Sequence, residues 1–250
     1  MSAAVQAPAH GGSASSPLTP APAEVHVWRR WLDVGAAGAM ALKAVLSPDE
    51  EARAARFRFE RDANRFIVAR ATLRRVLGRC LGVEPEELAF YYGAHGKPAL
   101  ASPPTRLTFN LSHSGDLALL AVAWDRAIGI DVEQRRPVSD LGALAAQVFA
   151  TAERAELATL PPGAREDAFL AGWTRKEAFI KAVGEGLTHP LDAFVVSLDP
   201  VAPARLLSVG GSADAAGAWS LHALTPAPGY VAALVAQGAV ERPTCRTWMD

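Results

Sequence analysis

Residues 106–133 read RLTFNLSHSGDLALLAVAWDRAIGIDVE. Two short strands are expected here around the turn Ser114-Gly115-Asp116, and a third, AIGIDVE, follows almost at once. Upstream, EVHVWRRWL from Glu24 onward alternates polar and apolar side chains and predicts an opening strand. Ser47-Pro48-Asp49-Glu50 carries the marks of a helix start: a capping hydroxyl, proline at the first position and acids in the first turn. The stretch behind it, EEARAARFRFERDANRFIVARATLRRVLGRCLG, predicts one amphipathic helix with Phe66, Ala69, Leu73, Leu77 and Leu81 on one face and many arginines on the other. A loop rich in Gly and Pro, YYGAHGKPALASPPT, leads back to the opening stretch. Downstream, helical patterns over 141–160 and 165–183 precede strands near 194–198, 218–224 and 230–236. Two consecutive α+β units meeting at 125–127 account for this order better than one alternating parallel sheet. The expected organisation is a tail over 1–23, an N-terminal α+β subdomain over 24–125 and a C-terminal α+β subdomain over 126–250.

The chain of 250 residues is long enough to bury a sizeable core, and half its residues are hydrophobic against a fifth charged, the balance of a globular protein. Its longest apolar run, Leu117–Trp124, is far too short for a membrane span. A net charge of -1 gives no global field for nucleic acid or an anionic membrane, so any anionic ligand must be held by a local cluster. Two cysteines, Cys80 and Cys245, are too few for a zinc site and suit a reducing cytoplasm. Residues 1–23 hold no charged side chain and hardly any bulky apolar one; such a segment does not offset its ordering entropy, and it lacks the pattern of a secretion signal.

In Ile128-Gly129-Ile130-Asp131-Val132-Glu133 the strand period of two puts Asp131 and Glu133 on one face and Ile130 and Val132 on the other. Two acids pointing together raise each other's proton affinity unless a cation or donor lies between them. An exposed acidic strand face is the plain alternative. In the helical stretch from Phe169, the residues Phe169, Trp173, Glu177, Ile180 and Lys181 recur at spacings of three or four, which sets a glutamate and a lysine within an apolar face. A carboxylate left there costs several kcal/mol unless it is paired or ligates a metal; a Glu177–Lys181 helical ion pair, worth about 0.2–0.5 kcal/mol, is the alternative. Acids converging from a strand and a helix suggest a magnesium site, and hence a phosphorylated substrate. Lys97, Arg53, Arg56 and His113 are candidate phosphate partners. Gly93 to Lys97 is not a P-loop, since its spacing is wrong and Pro98 stands where Ser or Thr is required. Ser112-His113-Ser114 is not a hydrolase triad, since strand neighbours point to opposite faces.

Taken together, Gly96-Lys97-Pro98, Phe109-Asn110-Leu111-Ser112-His113-Ser114, Gly129-Ile130-Asp131-Val132-Glu133 and the run from Trp173 through Lys176-Glu177 and Lys181 to Gly184, Gly186 and Leu187 resemble the ordered signatures of the Sfp-type 4′-phosphopantetheinyl transferases. The resemblance also takes in RFRFERDANRF and covers nearly everything from Glu24 to the last strands. It implies an α+β fold that is a pseudo-dimer of two similar subdomains, with coenzyme A in the cleft between them. It implies transfer of phosphopantetheine from coenzyme A to a serine hydroxyl of an apo acyl or peptidyl carrier protein, with release of adenosine 3′,5′-bisphosphate. By the resemblance, Asp131, Glu133 and Glu177 hold Mg2+, with Mn2+ the alternative ion, and Lys181 contacts the diphosphate. Lys97, Pro98, Asn110, Ser112 and His113 fall on coenzyme-contacting loops; Arg53 matches a basic residue that binds the nucleotide's phosphate, and Arg56 is its candidate companion, because Glu50 stands at a neighbouring position that is often basic. Glu177 is the candidate base and Glu153 a recurrent acid of open role. A cytoplasmic monomer without nucleic-acid or membrane partners is expected. Another magnesium-dependent phosphotransferase or phosphohydrolase, and a carrier-binding module without catalysis, remain the alternatives. The pathway served, whether fatty-acid, polyketide or nonribosomal peptide, is not written in these motifs.

Overall fold

The computed structural model describes residues 18–186 and 189–249. Leu187, the last residue of the expected motif, and residues 1–17 of the expected tail lie outside the described residues. The remainder of that tail lies against the body: the indole of Trp124 donates to Pro20 O at 2.9 Å, and His26 Nδ1 meets Leu18 O at 3.1 Å.

The order of elements is β1 (Val25–Trp31), α1 (Gly35–Leu42), α2 (Pro48–Ala54), α3 (Glu60–Leu81), β2 (Ala89–Tyr92), β3 (Pro98–Ser102), β4 (Leu107–Ser114), β5 (Leu117–Trp124), β6 (Ile128–Gln134), α4 (Leu141–Val148), α5 (Thr151–Thr159), α6 (Arg165–Val183), β7 (Phe194–Val196), β8 (Leu206–Val209), α7 (Ala213–Gly217), β9 (Trp219–Leu224), β10 (Tyr230–Gln237) and β11 (Thr244–Thr247). One sheet runs β11-β1-β5-β4 and another β6-β10-β9; β2-β3 and β7-β8 form small hairpins. In each main sheet a first strand, a long helix and a strand hairpin follow one another, and the first strand pairs antiparallel with the hairpin's second strand.

The apolar run of β5 is buried along nearly its whole length because both its faces are covered. Leu117, Leu119, Ala121 and Ala123 pack with Ile128, Ile130, Val132, Ala232, Leu234 and Ala236 of the other sheet. Leu120 and Val122 take the opposite side, with Leu73 and Leu77 of α3. On β10, Ala233 and Val235 turn likewise to α6, among Ala178, Phe179 and Ala182. The layers are therefore helix, sheet, sheet, helix, and the strand period of two apportions the side chains among them.

Several elements depart from the expected pattern. The predicted helix from Ser47 is two helices, broken at 55–59, because Glu50 closes a capping box on Ser47 and turns inward to Arg70 and Arg74 of α3. For α2 to face α3 the chain must bend between them. The pattern over 141–160 is likewise divided at Phe149 and Ala150, where Glu153 accepts the backbone N–H of Ala150 at 2.8 Å. The Gly- and Pro-rich stretch contains the β2-β3 hairpin, and α1, α7, β8 and β11 had no counterpart in the sequence reading. No helix among the described residues is long and apolar enough to cross a membrane.

Candidate active site

β4 and β6 are edge strands of their respective sheets, and they meet side by side. Asn110 Oδ1 accepts the backbone N–H of Ile130 at 2.8 Å, Ser112 donates to Asp131 Oδ1 at 2.9 Å, and Ser114 donates to Glu133 Oε2 at 2.7 Å. With Ile130 and Val132 committed to the core between the sheets, Asp131 and Glu133 face α6. That helix presents Trp173, Glu177 and Lys181 at successive turns. Lys181 Nζ lies 2.6 Å from Asp131 Oδ1 and 3.0 Å from Ser112 Oγ, and the indole N–H of Trp173 lies 3.3 Å from Glu133 Oε1. Gly129 permits this proximity: a Cβ there would stand 2.1 Å from Ala178 O and 2.3 Å from Ala182 N.

Burial pushes the Asp131 carboxyl above the ordinary carboxylate value, with Lys181 pulling the other way. Glu177 is raised by burial too; Lys181 opposes the shift, and the neighbouring charges of Asp131 and Glu133 add to it. Asp131 Oδ2 and Glu177 Oε1 are buried and have no hydrogen-bond partner. Those two oxygens fit a hard cation, which takes oxygen ligands and removes the cost of leaving them bare.

The three acids do not close round one point. Among the described residues, no three or more His, Cys, Asp or Glu side chains stand together as metal ligands. Three oxygens of these acids are engaged by protein donors: Lys181 and Ser112 hold Asp131 Oδ1, while Trp173 and Ser114 hold Glu133. Asp131 Oδ2 and Glu177 Oε1 are thus the bare oxygens of the cluster, and Glu133 beside them is held by protein donors.

A cavity opens beside this cluster, lined from one half by Lys97, Pro98, Asn110 and Leu111 and from the other by Glu177, Ile180, Lys181 and the glycines Gly184 and Gly186. Ser112 is buried in the cluster, and its neighbour His113 is exposed on the other side of the strand. Arg53 and Arg56 do not line the cavity; both are exposed near the end of α2, and Arg53 stacks 5.2 Å over the Phe66 ring. Lys97 reaches the cavity wall, but its ammonium turns to backbone carbonyls rather than to the opening. Glu153 lies far from this chemistry in role: it is fully buried, pairs with Lys176 Nζ at 2.8 Å and accepts the N–H of Val196 at 2.8 Å, which fastens α5 and β7 to α6. Ser114 and Trp173 escaped the sequence reading as site residues. Both were reachable, Ser114 by the strand period from Ser112 and Trp173 by one helical turn from Glu177.

Two family models match the chain. The one described as "4′-phosphopantetheinyl transferase superfamily" covers residues 127–235, and the one described as "4′-phosphopantetheinyl transferase, N-terminal" covers 30–125. Among curated proteins, the 4′-phosphopantetheinyl transferase HetI of Nostoc sp. is 43% identical over 217 residues, 86% of this chain and 88% of that protein. The 4′-phosphopantetheinyl transferase psf-1 of Bacillus pumilus is 36% identical over 165 residues, 66% of this chain and 69% of that one. The 4′-phosphopantetheinyl transferase Sfp of Bacillus subtilis is 33% identical over 153 residues, 61% and 66% respectively.

Proposed function

This chain belongs to the Sfp-type 4′-phosphopantetheinyl transferases, and from that premise we propose that the cluster at β4, β6 and α6 moves the phosphopantetheine arm of coenzyme A onto the serine hydroxyl of an apo carrier protein. Enzymes of this family use coenzyme A as substrate, typically with a divalent metal. The observation that carries the reading is the bare, buried Glu177 Oε1 beside the Lys181–Asp131–Ser112 contacts, at the wall of a cavity shared by both halves.

The reaction forms a bond from the serine Oγ to the phosphorus nearer the pantetheine arm and breaks the bond from that phosphorus to the bridging oxygen, so adenosine 3′,5′-bisphosphate leaves with the charge. Lys181 sits one helical turn from Glu177 and donates to the diphosphate as this charge grows. Ser112 keeps Asp131 Oδ1 aligned, and Trp173 and Ser114 keep Glu133 in place. Glu177, ionised, takes the serine proton directly or through a bound water at the carboxylate oxygen that does not face the cation. Mg2+ or Mn2+, held by Asp131 and Glu177 with Glu133 adjacent, would neutralise the diphosphate as a Lewis acid. On the far side of Glu133 a groove lined by Arg136, Pro137, Phe169 and Trp173 gives the carrier serine its approach. The setting is read as the cytoplasm, in keeping with the free thiols of Cys80 and Cys245, and the working unit as a monomer without nucleic-acid or membrane partners.

Incubation of purified apo acyl and peptidyl carrier proteins with coenzyme A and Mg2+, followed by intact-mass measurement, tests this directly. A phosphopantetheine mass gain on the carrier serine is expected. Release of the arm to water without carrier modification would favour a phosphohydrolase, and carrier binding without any turnover a non-catalytic module.

A further inference from the structure

Lys97 is carried on the hairpin side of the N-terminal half, yet every hydrogen bond of its ammonium goes to the other half. It donates to Ile128 O at 3.0 Å, at the start of β6, and to Lys181 O and Ala182 O in the last turn of α6, the latter at 3.3 Å. The final carbonyls of a helix have no partner within it and carry the negative end of its dipole, so a cation placed there is doubly favoured. The approach is close: a Cβ on Gly184, the cap of α6, would stand 3.5 Å from the Lys97 side chain, and one on Gly186 would stand 3.2 Å from His95. Burial holds the ammonium's pKa down to about 8. No carboxylate is among its hydrogen-bond partners.

We propose that Lys97 is a positioning residue that latches the two halves together and fixes the backbone at Lys181, rather than a ligand of the coenzyme's phosphates. The inference rests on the transferase reading for its kinetic consequence but not for its geometry. Lys181 must aim its Nζ at Asp131, Ser112 and the diphosphate at once. The latch anchors the residue's carbonyl from the opposite half, so the end of α6 keeps its distance from β6 and β4 when the cavity fills.

The test compares wild type with Lys97→Met, which keeps length and removes the donors. Hydrogen exchange by mass spectrometry should show faster exchange over residues 178–186 in the variant, without coenzyme present. Turnover should fall on the order of tenfold to a hundredfold, mostly in kcat, by the same factor with coenzyme A and with 3′-dephospho-coenzyme A. Unchanged exchange, or a loss seen mainly in KM or only with the coenzyme that carries the 3′-phosphate, would overturn the latch. Should Lys97→Met not fold, the wild type decides. The 15N resonance of the Lys97 ammonium, one of four lysines in the chain, should stay slow in exchange and unshifted when adenosine 3′,5′-bisphosphate is added; a large shift contradicts the proposal. Wild-type protein that modifies no carrier would refute the transferase reading and leave the exchange measurement to judge the latch.

Discussion

Glu177 works against the stability of the fold that holds it. Its Oε1 is buried without a donor, and the charges of Asp131 and Glu133 bear on it. A carboxylate in that position is costly until a proton or cation arrives. Glu177→Gln keeps the shape and removes the charge, so its two effects should have opposite signs. Carrier modification should fall by about 10²- to 10⁴-fold, the scale of a lost proton acceptor, while thermal unfolding moves upward by the equivalent of about 1 kcal/mol. Retained turnover would take Glu177 out of the chemistry, and a lowered melting temperature would mean that the carboxylate has a stabilising partner. At this scale much was legible. A period of two placed Asp131 with Glu133, and a period of 3.6 placed Glu177 over Lys181. The direction of the Lys97 ammonium was not legible, because it depends on residue 97 meeting residues 128 and 181, which only the assembled halves bring about. The removal of Arg53 and Arg56 from the cavity wall has the same cause: α2 folds back on α3 as a separate helix.

Between elements, contacts are set by backbones and by buried charges. β6 rests on α6 through Gly129 with no room for a methyl group, and the atoms in the way are main-chain atoms that have no rotamer to escape into. Gly129→Ala should therefore cost more than the usual 1–3 kcal/mol of an overpacked core and should abolish transfer, since it separates Asp131 from Lys181; an unchanged melting temperature would contradict the packing. The small helices hang on glutamates. Glu50 binds Arg70 and Arg74, and Arg74 also donates to Pro85 O and Leu88 O, both at 2.9 Å. Burial alone would raise the Glu50 carboxyl; the two guanidiniums outweigh it and hold the pKa below its ordinary 4.5. The sign follows from linkage. A carboxyl lowered in the fold stabilises above its unfolded value, and that stability is lost as pH falls through the folded value. Glu50→Gln should thus lower stability at neutral pH and flatten its decline below about pH 4.5, as urea unfolding across that range will register. The predicted single helix over 50–82 failed at this point, because a glutamate that caps one helix and pairs with the next is indistinguishable in sequence from a solvated one.

The whole molecule repeats itself, and the repeat explains why only one half is chemically equipped. β1 and β6 pair with their hairpins in the same register, so Trp28 corresponds to Asp131 and Arg30 to Glu133. Counting back from the left-handed glycines that end the long helices, Gly82 and Gly184, Arg75 corresponds to Glu177, Arg79 to Lys181, and Arg74 to Lys176. The correspondence extends to structure: Thr72 and Thr174 each bond the carbonyl four residues earlier, and Arg74 and Lys176 each meet a buried glutamate and a phenylalanine ring. The wiring of both halves is the same; the order of elements suggested only two α+β units in succession, because the residues that match are not alike in type, and the likeness of the halves came from the resemblance to the family. At the matching surface of α3 a cavity does lie beside Arg75, Gly78, Arg79 and Gly82, but it faces Trp248, which meets Trp28 edge-on at 5.6 Å and lies under Arg79. With Trp28, Arg30 and Arg75 where Asp131, Glu133 and Glu177 stand in the other half, this surface has no counterpart of the three acids. Both halves contribute to the one equipped cavity, Lys97 and Asn110 from the first and Glu177 and Lys181 from the second. Titration calorimetry with coenzyme A and Mg2+ should accordingly give one binding event per chain, and Asp131→Asn with Glu177→Gln should remove the Mg2+-dependent part of that affinity. Two equivalent sites per chain would mean that the arginine-bearing half binds the coenzyme as well, without counterparts of Asp131, Glu133 and Glu177 to hold a metal ion.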